Sequence, residues 1–165
     1  MSDVIELLAA STAKNLDFVK MTVADFSDAD LFVRPAPGAN HAAWQIGHLI
    51  VAETNLVNTV RPDALPAVPP TIAERFNKST ASIDDPAKFA VTKQQLLDAL
   101  AGVRANTVKW IKTLTPQELD QPTPERLRNF APNIGQFVLM ISLHVAMHVG
   151  QLQVIRRKLG KPVLF

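Results

Sequence analysis

Two histidines four residues apart, His144 and His148, stand within the most apolar stretch of the chain, residues 134–155. On a helix a spacing of four sets both rings on one face a turn apart, where two imidazoles can share a metal ion. A third histidine, His48, stands in an earlier apolar segment, so three of the chain's four histidines fall at positions expected to be buried. Three imidazole nitrogens around a first-row divalent ion leave one or more positions for water or substrate, as in a catalytic rather than a closed structural site. Such an ion polarises an oxygen or sulfur ligand and brings the pKa of bound water to ~7. Zinc and nickel suit the donor set. Iron would want a carboxylate, and the nearest, Glu53, is turned off the His48 face of its helix. His41, one heptad before His48, lies roughly 10 Å away along the axis and is left as an exposed or capping residue. The competing reading is ordinary core chemistry, since buried histidines bonded to carbonyls or serines are common and spacing alone does not separate the two.

The elements that must position these rings are helices. The first is expected over residues 3–23, with Val4, Leu8, Phe18 and Thr22 on its inward stripe and Ser11 and Asn15 either bordering a cavity or bonded to backbone. Prolines and a glycine make 26–40 a loop. A second helix starts near Asn40 and carries Trp44, His48, Val51, Asn55 and Thr59 inward, with Ala52 and Leu56 alongside. Residues 61–86 form a long proline-rich crossover, with one short helix around 72–77, that serves as a lid or spans the bundle end to end. Thr92 and Gln95 make a capping box for a third helix over 92–114, along which Leu96, Leu100, Val103, Thr107, Trp110 and Leu114 repeat at four and three. Thr115, Pro116 and Glu118 start a further short turn. The fourth helix begins near Pro132 or Asn133 and ends at Leu159, with Gly160 as cap and Pro162 as stop. Its inward stripe is Ile141, Val145, His148, Leu152, Ile155 and Leu159, with His144 at the edge. Its middle is apolar nearly all round, which predicts one face on the bundle and another on a second subunit. Trp44 and Trp110 are read as core residues, and Gln151 as either a support for His148 or a subunit contact. The pattern is an all-α four-helix bundle with a long crossover between helices two and three.

Composition narrows the partners. At 165 residues, 47% hydrophobic and 19% charged, the chain suits one folded domain spanning 1–165 and excludes disorder. With 17 Lys+Arg against 15 Asp+Glu the net charge is +2, and the only basic cluster, Arg156, Arg157, Lys158 and Lys161, marks a helix end, so no nucleic-acid partner is expected. There is no cysteine, hence no disulfide, thiolate ligand or thiol nucleophile of the chain's own. The N-terminus lacks the basic start and apolar core of a signal peptide, and polar residues interrupt 134–155, so a cytoplasmic protein without a membrane partner is expected.

The segments Trp44-Gln-Ile-Gly-His48-Leu, Leu143-His144-Val-Ala-Met-His148-Val-Gly-Gln151-Leu and Arg156-Arg-Lys-Leu-Gly160 resemble the DinB/YfiT-like superfamily, which is unrelated to the translesion polymerase of similar name. The resemblance covers nearly the whole chain. It implies an up-down-down-up bundle, often dimeric, in which His48, His144 and His148 bind one divalent metal, commonly zinc or nickel. Several members of that superfamily join a low-molecular-weight thiol such as bacillithiol or mycothiol to an electrophile, and many have no known activity. An open metal position that favours a thiolate would supply the nucleophile this chain lacks. No residue stands out as general base or thiol clamp. The functional expectation is a metal-dependent enzyme acting on a small molecule, a thiol S-transferase, detoxification enzyme or hydrolase. The alternatives are a noncatalytic metal-stabilised stress-response or interaction module, and a partner-binding bundle whose histidines hold no ion.

Overall fold

Three of the long helices begin where a side chain caps them, and the last ends at a glycine that closes it. The computed structural model describes residues 4–164. The long helices are α1 (Val4–Val23), α2 (Ala42–Val60), α3 (Lys93–Ile111) and α4 (Ile134–Lys158); the expected start at Asp3 lies outside the described residues. The side chains of His41, Thr92 and Asn133 accept the N–H groups of Trp44, Gln95 and Gln136, and Gln95 completes a capping box with Thr92. At the end of α4, Gly160 adopts φ +67° while its N–H bonds to Arg157 and that of Lys161 to Arg156, a Schellman closure. Among the described residues there is no strand, only an isolated bridge between Pro122 and Asn133.

The helices pack as a ring, α1 against α4 and α3, and α2 against α3 and α4. Contacts fix their directions. Thr12 meets Ser142 and Thr22 meets Gln153, so α1 and α4 run parallel. Lys112, just past α3, reaches Glu6 near the start of α1, whereas Arg104 reaches Thr12 farther along, so α1 and α3 are antiparallel. Gln45 meets His148 while His48 meets His144, so α2 and α4 are antiparallel too. The topology is up-down-down-up. The 61–86 crossover joins the parallel pair α2 and α3. Its short helix is Pro70–Ala73 rather than 72–77, followed by single turns at Lys78–Thr80 and Pro86–Lys88.

Two inward stripes differ from expectation. On α1 the buried line is Ile5, Ala9, Thr12, Val19 and Val23; Val4, Phe18 and Ser11 are exposed, Leu8 is half-buried, and Thr22 is buried as expected. Both lines carry apolar residues, and packing against two helices selects the one with smaller members. On α2 the buried line is Ile46, Leu49, Ile50, Glu53 and Val57, while His48 and Val51 are half-buried and Asn55 is exposed. The crossover covers a second side of α2: Phe76, fully buried, packs so tightly on Gly47 that a Cβ there would stand 2.1 Å from its ring. The fourth helix follows the expected line from Ile141 to Ile155, and Leu159 packs at its end, half-buried.

The core has two apolar halves, and every long helix crosses the boundary between them with a buried polar residue: Thr12 on α1, Glu53 on α2, Arg104 and Thr107 on α3, Ser142 on α4. Arg104 donates to Glu53 at 2.6 Å and to the Thr12 carbonyl, Thr107 donates to Glu53 at 2.6 Å, and Thr12 and Ser142 share a hydrogen bond of 3.1 Å. Asn15 is half-buried and donates to the Ser142 carbonyl at 3.0 Å, so it ties α1 to α4 through the backbone.

Candidate metal centre

The antiparallel pairing of α2 and α4 brings His48 against His144 and His148. The ring centroids lie 5.3 Å (His48 to His144), 5.4 Å (His48 to His148) and 4.9 Å (His144 to His148) apart. One ring nitrogen from each lies within 4.8 Å of the others, and among the described residues this is the one such group of histidine or carboxylate side chains. In a tetrahedral zinc site with bonds near 2.0–2.1 Å the nitrogens stand about 3.4 Å apart, so inward rotation of the rings by about an ångström would close them on an ion. His148 is buried, at 6% exposure, and the other two are half-buried, which leaves the cluster open on one side.

Burial sets the charge state of the rings. It is the main cause that pushes His48 down to about 4 and His148 to about 3, with His144 and then Lys78 adding repulsion at His48, and His144 and then His48 at His148. His144 is lowered by burial and then by Arg104. At neutral pH all three rings are uncharged and carry the lone pairs a cation needs.

The supports around the rings come from both elements. Trp44 stacks on His48 at 4.8 Å with planes 6° apart, and its Nε1 donates to the Asn77 carbonyl (3.2 Å) and to Thr80 Oγ1 (3.1 Å), fastening the crossover to the site. Trp44 is therefore buried, as expected, and is also a wall of the cluster. Trp110 is core, packed edge-on against Phe137. His148 Nδ1 lies 3.1 Å from Gln45 Oε1. Gln151 is exposed, and the support for His148 is Gln45, which the periodicity of α4 alone had no means of finding; the available signal was an amide next to Trp44 in an otherwise apolar segment.

Glu53 is no ligand. Both its oxygens are taken by Arg104 and Thr107, in line with its expected direction. Of the two roles expected for His41 the structure shows the capping one, with Nδ1 3.0 Å from Trp44 N, and not the exposed one: it is fully buried, against Phe32 and Phe89. No hydrogen bond of normal geometry reaches its Nε2. Arg156 is also buried, donating to Thr22 and Pro162 carbonyls and to Asp25, so the C-terminal basic cluster closes the fold locally.

No curated protein matches this chain. Solved structures that share its fold include two that match over nearly the whole chain. YfiT from Bacillus subtilis, described as a probable metal-dependent hydrolase with an unusual four-helix bundle topology, is 14% identical, with a TM-score of 0.64 over 96% of this chain and 89% of that one. A conserved protein from Enterococcus faecalis is 16% identical, with a TM-score of 0.65 over 98% of this chain and 100% of that one. The sequence model of the DinB superfamily matches residues 12–152, a span that takes in all three rings of the cluster. The chain belongs to the DinB superfamily.

Proposed function

We propose that His48, His144 and His148 hold one divalent cation, zinc or nickel, through one ring nitrogen each, and that the protein is a metal-dependent enzyme acting on a small molecule. The observation that carries the proposal is the cluster of three uncharged imidazoles whose nitrogens lie within 4.8 Å of one another, half open to solvent. An ion there would supply a Lewis acid able to favour a thiolate or hydroxide at neutral pH. The chain's own part is to orient the rings: Trp44 fixes the plane of His48, Gln45 holds His148, and the rigid α2–α4 pair sets their spacing. Thiol S-transfer is the reaction we favour, because a metal-held low-molecular-weight thiol would replace the cysteine this chain lacks. Hydrolysis, in keeping with the description of YfiT, is its competitor within the same site.

A second reading is favoured by one observation: the three rings tie α2 to α4, and among the described residues no further carboxylate or histidine joins their group. On that reading the ion only stabilises a noncatalytic stress-response or interaction module. Elemental mass spectrometry on untagged protein, beside a His144→Ala/His148→Ala variant, decides on the metal: about one ion per chain in the wild type and none in the variant is expected. An empty wild type that stays empty on adding zinc or nickel would end both metal readings. With metal bound, turnover of thiol plus electrophile separates transfer from ester or amide hydrolysis, and inertness toward all of these leaves the module.

The remaining parts of the proposal are a single domain, a homodimer and cytoplasmic residence. Helix α4 is long and apolar enough to cross a membrane, but half of its most apolar stretch is buried in the bundle, which supports its reading as a core helix. The dimer is supported by Leu139, Leu143, Met147 and Val154, which line an exposed side of α4.

A further inference from the structure

The bond between His148 and Gln45 has only one consistent assignment of donors. The Gln45 side-chain nitrogen lies 2.9 Å from the Asn40 carbonyl oxygen, which can only accept, so the NH2 group is on that side. Oε1 then faces His148 Nδ1 at 3.1 Å, and an amide oxygen can also only accept. Gln45 is 1% exposed, so solvent offers its amide no alternative partner. The reverse tautomer would set two lone pairs against each other in a buried contact.

We propose that Gln45 is a positioning residue: clamped by the Asn40 carbonyl just before α2, it holds His148 as the Nδ1–H tautomer and leaves Nε2 bare as the electron-pair donor of the three-histidine cluster. An unrestrained imidazole side chain in water favours the other tautomer, with the proton on Nε2, which would block that atom. The relay fixes the choice before any cation arrives. The metal is part of the function proposed above, and the consequence for affinity rests on that reading; the tautomer does not, because it is a property of the metal-free protein.

Metal-free, 15N-labelled protein at pH 7.5 is examined by long-range 1H–15N correlation, in which protonated and bare ring nitrogens resonate far apart. In the wild type His148 carries its proton on Nδ1. In Gln45→Leu, which fills the space without an acceptor, the proton moves predominantly to Nε2. Gln45→Glu, whose buried carboxyl is protonated toward the Asn40 carbonyl and still turns an accepting oxygen to His148, keeps it on Nδ1, which a merely space-filling role for Gln45 would not explain. Zinc competition against a chromogenic chelator then gives a Kd about 10- to 100-fold weaker for Gln45→Leu than for the wild type, with Gln45→Glu close to the wild type. A wild-type His148 protonated on Nε2, or a Gln45→Leu protein that retains the Nδ1 proton, overturns the relay. Should Gln45→Leu fail to fold, the wild type and Gln45→Glu still decide. A wild type with the Nδ1 proton that takes up no zinc supports the relay and overturns the metal reading alone.

Discussion

Histidine does different work at different places in this chain, and His41 shows how far one residue can depart from the cluster beside it. It is fully buried, gives its Nδ1 lone pair to the first turn of α2, and packs against Phe32 and Phe89. Burial, followed by the Arg34 charge, lowers it to about 4, against smaller raising effects from the Ile83 carbonyl and Asp84. Because the folded value lies below the ordinary 6.5, the unfolded chain binds more protons between pH 6.5 and 4. The stabilisation is therefore complete above 6.5 and is lost as pH falls toward 4, by at most about 3 kcal/mol. His41→Asn keeps a capping oxygen without titrating. Urea unfolding across this range should show a lower stability at pH 7.5, from lost packing, but a shallower decline with acid than the wild type; parallel declines would remove His41 from the account. Residue type and spacing marked His48, His144 and His148 for attention. They did not mark Gln45, because its bond to His148 depends on the antiparallel register of two helices far apart in sequence.

At the scale of elements, the caps and stops were legible because they are local chemistry: Thr92 with Gln95, Thr115 with Glu118, and Gly160 each act within a turn or two of their own positions. The inward stripes of α1 and α2 were less legible, since both helices carry apolar residues on adjacent lines and the neighbour decides which is buried. Glu53 and Arg104 are the clearest case. Read locally each is a solvated charge, yet both are 2% exposed or less and paired at 2.6 Å across the middle of the bundle. Breaking such a pair leaves a buried charge without compensation. Arg104→Met or Glu53→Leu alone should lower unfolding stability by about 3–5 kcal/mol, while the double substitution should recover most of the loss. Denaturant melts of the three variants check this. A double variant as unstable as the sum of the singles would mean that packing around the pair, and not its charge, is what matters.

For the whole molecule, the exposed side of α4 is the open question that the bundle itself poses. Leu143 and Met147 are 57% and 60% exposed and flank His144 on a helix whose other side fills the core. A second copy covering this face would bury them at roughly 25 cal/mol per Å². Leu143→Glu with Met147→Glu should convert a dimer to a monomer in multi-angle light scattering while leaving metal content intact; a wild type already monomeric at high concentration removes the dimer. Taken alone, the sequence determined that the protein is helical, where its four long helices lie to within a few residues (the third ends at Ile111 rather than Leu114), and which three histidines could act together, because caps, turn residues and hydrophobic period are set by neighbours a few positions away. The tertiary structure decided which line of each helix is buried, that Glu53 belongs to Arg104, that His41 is core, and that Gln45 is the partner of His148. Those outcomes depend on how helices distant in sequence align side by side, and that alignment is a property of packing shared by all of them.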